Sequence, residues 1–66
     1  MQLRDKIAAR VKKLRGDMAQ EKLAAKAGVS TATVNHIENA EANPTLDVLT
    51  RIAEALGVNV EALVKP

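Results

Sequence analysis

The run from Leu23 to Asn39 constrains this chain more than any other stretch. Leu23-Ala24-Ala25-Lys26-Ala27 has the composition of a short helix, and Gly28 gives the backbone freedom to turn. Ser30 then opens a second helix, because its hydroxyl can accept a backbone N–H that the first helical turn leaves without a partner. Val29 and Val34 stand at N′ and N4 around that cap, a hydrophobic staple that fixes how the chain enters the helix. Ala24 is small where two backbones joined by so short a turn must approach each other.

Placing residues at about 100° steps from Thr31 sorts this second helix, about residues 31–39, into two sides. Thr33, Val34 and Ile37 fall on the side that must be buried. Thr31, Ala32, Asn35, His36 and Asn39 fill a continuous opposite arc, with Glu38 at its border. A solvated face usually carries Lys and Glu, whereas this arc holds small or neutral hydrogen-bonding groups. Such groups suit the donor and acceptor edges of base pairs in a major groove, which admits one helix. A polar helix without a ligand is the bland alternative. Cap, staple and turn at this spacing, over about residues 18–39, are what a helix-turn-helix requires.

The remaining chain supplies helices to pack around that unit. Leu3, Ile7, Val11 and Leu14 recur at helical spacing with Ala8 beside them, and Gly16 closes this first helix. Asp17 is the expected cap of the next helix, with Gln20 as its reciprocal partner, and Met18, Leu23, Ala24 and Ala27 face inward. After the loop Ala40-Glu41-Ala42-Asn43-Pro44, Thr45 caps a helix with the apolar stripe Leu46, Leu49, Ile52, Ala53 and Leu56, ended by Gly57. Asn59 caps a last short helix, with Val58 and Leu63 as its staple. The segment Ala53–Val64 imitates the first unit, but Glu54 and Glu61 would face phosphate unfavourably, so it is assigned to the core. Val60 and Val64 leave apolar surface open to self-association.

The expected fold is therefore all-α, a single domain over residues 1–66. A chain of 66 residues buries only about 60% of its unfolded surface, too little for a large cleft. Without cysteine there is neither disulfide nor thiolate metal site, and a single His cannot build a metal centre alone. No metal or cofactor is expected, and no nucleophile–base pair points to an enzyme. No apolar run approaches the ~18 residues of a membrane span, and Arg4, Asp5 and Lys6 interrupt any leader pattern, which points to a cytoplasmic address. Without Phe, Tyr or Trp, base stacking on those rings is removed, which disfavours single-strand and RNA readers of the stacking kind. Residues 1–26 hold eight basic side chains against three acidic, a surplus of +5, and the remainder is acidic by −3. That asymmetry favours a polyanion at one end, with Arg10, Lys13 and Arg15 as phosphate contacts.

Taken together, Gln20-Glu21-Lys22-Leu23-Ala24, Ala27-Gly28-Val29-Ser30, Ile37-Glu38-Asn39, Asn43-Pro44-Thr45 and Ile52-Ala53-Glu54-Ala55-Leu56-Gly57-Val58 resemble the lambda-repressor/Cro-like (XRE-type) helix-turn-helix domains. The resemblance runs from about Arg10 to Leu63. It implies a compact five-helix domain that inserts its third helix into the major groove of double-stranded DNA. By position, Thr31, Ala32 and His36 match base-reading residues, with Ser30 and Asn35 next to them. Gln20 matches a phosphate contact at the start of helix two, Asn39 and Asn43 match a phosphate-touching loop, and Thr33 joins that set. Arg15 matches an arginine that pairs with the glutamate found here as Glu38, a structural pair.

The chain departs from the pattern in three places. The turn Gly16-Asp17-Met18-Ala19 is about two residues short, and Ala19 stands where a capping Ser or Thr is usual. Ala40 replaces a common Gly, and a left-handed Ala there would cost about 1 kcal/mol. Glu41 stands where a basic residue is frequent, which weakens phosphate holding by that loop.

The function expected is sequence-specific binding of double-stranded DNA, as a monomer on one half-site or a weak homodimer, without catalysis. Asn35 can pair with adenine through two hydrogen bonds, and a doubly protonated His36 can donate to guanine O6 or N7. An antitoxin-like protein-interaction module using the acidic C-terminal half is the alternative. The Ala-rich, aromatic-free, well-capped chain suits an engineered DNA binder as well as a natural transcription regulator.

Overall fold

Local capping signals set most helix limits in the computed structural model, which describes residues 2–65. The described residues form α1 (Leu3–Arg15), α2 (Gln20–Ala27), α3 (Thr31–Glu38), α4 (Leu46–Leu56) and α5 (Glu61–Val64), with no strand among them. Ser30 Oγ accepts the Thr33 N–H at 3.0 Å, and Thr45 Oγ1 accepts the Val48 N–H at 3.2 Å, as their positions predict. Asn59 Oδ1 accepts the Glu61 N–H at 3.2 Å at the head of α5. The cap expected from Asp17 is not made. Met18 N–H closes a turn onto Arg15 O at 3.0 Å, and Ala19 becomes the residue before α2, without a side-chain cap.

Three helices end alike. After α2, Gly28 adopts φ 71° and ψ 31°, its N–H donates to Ala25 O, and Val29 N–H donates to Ala24 O. After α4, Gly57 at φ 74° does the same with Glu54 O and Ala53 O. After α3, the N–H groups of Ala40 and Glu41 donate to Ile37 O and His36 O, the same paired bonds, with Ala40 at φ 56°. Each is a Schellman end, which needs one left-handed residue. Only α3 fills that place with a residue carrying a Cβ.

Every helix contributes one side chain with no exposure at all: Val11, Leu23, Val34, Ile52 and Leu63. Each fully buried aliphatic side chain contributes about 1.5–3 kcal/mol, and Ile7, Ile37 and Leu49 extend this central set. Around it α2 packs on α3 and α4, α1 packs on α3 and α5, and α4 meets α5. Three leucines placed in the apolar stripes are instead exposed, Leu3 by 54%, Leu14 by 41% and Leu46 by 71%. Leu3 and Leu46 are first residues of their helices, and a helical side chain leans over the turn before it, which here does not exist. Leu14 sits in a shallow groove beside Arg10, Lys13 and Ala62.

The strain at Ala40 generates a prediction. Ala40→Gly removes the Cβ penalty, partly offset by the greater freedom of Gly in the unfolded chain. Denaturant unfolding should show a gain of about 0.5 kcal/mol, or roughly 2–4 °C in Tm. A loss of stability would mean that the turn is not strained.

Candidate nucleic-acid interface

The side of α3 turned away from the core presents Thr31, Ala32, Asn35, His36 and Asn39, all exposed, while Val34 and Ile37 face inward. No charged side chain interrupts that arc. Ser30 and Thr33 stand at its N-terminal edge with their hydroxyl oxygens 2.8 Å apart, each a partner of the other. Gln20, the first residue of α2, is half-buried, and Asn43 is exposed in the loop before α4. Because Ala19 provides no side-chain acceptor, the N–H groups of Gln20 and Glu21 have no partner among the described residues.

Glu38 is not at the border of this arc but inside the protein, 2% exposed. Its position, four residues after Val34 on the same helical side, is the signal that could have placed it there. Arg15 reaches it from the end of α1, with Nε 2.6 Å from Oε2 and Nη2 2.9 Å from Oε1. The third Arg15 donor, Nη1, bonds the Met18 carbonyl in the turn between α1 and α2. Gln20 Nε2 donates to Glu38 Oε1 at 3.0 Å. Burial pushes the Glu38 carboxyl up, but the hydrogen bonds of Arg15 and Gln20, with the charges of Arg15 and Lys12, outweigh it and hold the group below its ordinary value. The bond to Glu38 likewise raises Arg15 further, against its own desolvation.

The hydrogen bonds continue outward from Gln20. Asn35 Nδ2 donates to Gln20 Oε1 at 3.4 Å, and Asn39 Nδ2 donates to Asn35 Oδ1 at 3.1 Å. Asn39 Nδ2 also donates to Glu41 Oε1 at 3.4 Å. Gln20, Asn35 and Asn39, separate in sequence, thus form one surface row anchored on a buried carboxylate.

The basic residues divide differently from the sequence reading. Arg15 is engaged with Glu38 and Met18, so its donors are turned inward. Arg10 Nη1 donates to Ala62 O at 3.4 Å, and with Lys13 it lines the groove between α1 and α5 rather than the α3 arc. The further α1 cation whose charge is felt at Glu38 is Lys12, which sequence reasoning did not single out. Its place one residue before Lys13 gave no means of choosing between them.

The depressed Glu38 value fixes the sign of a pH effect. Above the ordinary value near 4.5 the group is ionised in both folded and unfolded chains, and its contribution is fully present. As pH falls through the lower folded value, that contribution is lost. Glu38→Gln should therefore flatten the acid limb of stability against pH. Glu38→Ala should lower stability at pH 7 by about 2–3 kcal/mol, because it leaves a largely buried guanidinium without its partner. An acid limb of wild-type steepness in Glu38→Gln would remove this role.

Comparisons with known proteins bear on the fold and the family. A family model described as HTH_3, helix-turn-helix, matches residues 9–63. The fold is similar to that of a hypothetical transcription factor from Neisseria, with a TM-score of 0.91 and 30% identity over 98% of this chain and 77% of that one. It is similar to a restriction-modification controller protein from Aeromonas hydrophila, with a TM-score of 0.86 and 27% identity over 91% of this chain and 94% of that one. An HTH_3 family transcriptional regulator from Vibrio cholerae gives 0.87 and 32% identity over 92% of this chain but 35% of its own length. Comparison with curated protein sequences finds no significant match. With the matched segment spanning α2, α3 and α4 whole and parts of α1 and α5, the chain belongs to the HTH_3 helix-turn-helix family.

Proposed function

We propose that this chain is a DNA-binding domain of the transcription-regulator type, reading double-stranded DNA by laying α3 in the major groove. The observation that carries the reading is the exposed, uncharged arc of α3, ordered at its head by the Ser30 cap. Thr31, Ala32, Asn35 and His36, with Ser30 at the edge, are the base-reading groups in this proposal. Asn35 offers a donor and an acceptor side by side, the pattern that pairs with adenine N7 and N6, and Ala32 offers a methyl for close approach. Gln20 and the open N–H groups of α2 suit a phosphate oxygen, as do Asn39 and Asn43 on the other side of α3. Thr33, tied to Ser30, contributes through that cap. Arg10 and Lys13 serve phosphates only if the duplex also covers the α1–α5 groove, and Arg15 acts through Glu38.

The relatives that combine this fold with transcription control support the same reading. Among the described residues no helix is long and apolar enough to cross a membrane. A regulator of this kind works beside its DNA, in the cytoplasm. The proposal involves no catalysis and no cofactor.

Selection from a random duplex library tests it. The wild-type chain should enrich one short motif, whose symmetry separates a single copy on one half-site from a paired arrangement. Replacing Thr31, Asn35 and His36 together by Ala, all exposed, should leave a folded protein without preference. An unchanged motif in that variant overturns the proposal. In the loop, Glu41→Lys should strengthen overall binding and steepen the slope of log K against log salt by about one unit.

A further inference from the structure

We propose that the buried Glu38 carboxylate sets the polarity of the surface amide row, making Glu38 and Gln20 positioning residues for the base that Asn35 reads. This rests on the DNA-reading role of α3 proposed above. An ionised carboxylate only accepts hydrogen bonds. Gln20 must therefore turn its NH2 group toward Glu38, at 3.0 Å, which leaves its oxygen facing Asn35. Asn35 must then present its NH2 group to Gln20, at 3.4 Å, and its oxygen toward Asn39. Asn39 completes the row with its NH2 group on Asn35 Oδ1 at 3.1 Å. The far end is closed in the same sense, because Glu41 Oε1, 3.4 Å from Asn39 Nδ2, also only accepts. Three amides that could each be turned either way are ordered in one direction by an acceptor at each end.

The order matters at Asn35. After its bonds within the row it keeps one N–H and one oxygen lone pair for the groove, in a fixed sequence along the helix. Adenine shows an acceptor at N7 and a donor at N6, and an amide turned by 180° offers its groups in the wrong order. Glu38 is buried, so its influence on base choice passes through Gln20. In Glu38→Gln the single amide oxygen is claimed by Arg15 and an NH2 group faces Gln20, which reverses or scrambles the row. Gln20→Met removes the link and leaves Asn35 in place.

The experiment is selection from a random duplex library with the full chain, run for the wild type, Asn35→Ala, Gln20→Met and Glu38→Gln, each checked for helicity and melting. Asn35→Ala identifies the base pair that Asn35 reads. At that pair alone, Gln20→Met and Glu38→Gln should each reduce discrimination by about tenfold. If Gln20 acts only as a phosphate contact, Gln20→Met weakens all duplexes equally and leaves every preference intact, and that result overturns the inference. So does a wild-type motif that Asn35→Ala leaves unchanged, although the DNA-reading role would then stand. Wild-type protein that selects no motif overturns both. Should Glu38→Gln fail to fold, Gln20→Met decides alone.

Discussion

The contact between Arg15 and Glu38 joins three elements at one point. Arg15 comes from the last turn of α1, Glu38 from the last turn of α3, and Gln20 arrives from the first turn of α2. Taking a carboxylate out of water costs several kcal/mol, and only a paired, well-directed cation offsets it. The planar guanidinium supplies two bonds to the carboxylate and a third to Met18 O, so the α1–α2 turn is held by the same group. An apolar replacement of similar volume could match the pair in stability. What it could not match is direction, because the fork of Arg15 meets Glu38 in one orientation and fixes where α2 begins relative to α3.

That arrangement also decides where charge lies. Arg15 is neutralised internally, Arg10 and Lys13 lie toward α5, and Lys26 lines a depression over α4 among Asp47, Arg51 and Glu54. The arc of α3 is flanked instead by amides, open helix N–H groups and the acidic Glu41. A surface of this kind gains little from counter-ion release, so more of its discrimination must come from neutral donors and acceptors. The uneven charge of the sequence is real, but the fold does not concentrate it on α3.

Most of the architecture was legible because it is written in local signals. Gly28, Ser30, Thr45 and Gly57 act within a few residues of themselves, and the structure places them where their chemistry requires. Periodicity found the buried faces, but it carries no information on where a helix ends against its neighbours, hence the exposed Leu3, Leu14 and Leu46. Asp17 makes no cap because the short turn carries the chain two residues further, to Ala19, before α2 begins. The exposed arc of α3 was legible for the same reason as the core, since both are faces of one helix. Glu38 was visible as a partner of Arg15 only through family resemblance, because the pair spans 23 residues and three elements. Which α1 cation faces α3 likewise depends on the packing angle of two helices, which no single stretch of sequence contains.

The strained turn at Ala40 and the amide row are parts of one construction. A left-handed residue after α3 sends the chain back across the helix end, where Glu41 N–H bonds His36 O at 2.9 Å. That return brings the Glu41 side chain within 3.4 Å of Asn39 Nδ2. An extended Ala40 would carry Glu41 away, and Asn39 would lose its second acceptor and be free to turn over. The backbone conformation, costing about 1 kcal/mol for a residue with a Cβ, thus holds the outer end of the row as Glu38 holds the inner end. Glycine would adopt the same turn without that cost, but it would also leave it more readily. Ala40, once seated in the Schellman bonds, has fewer conformations to escape to.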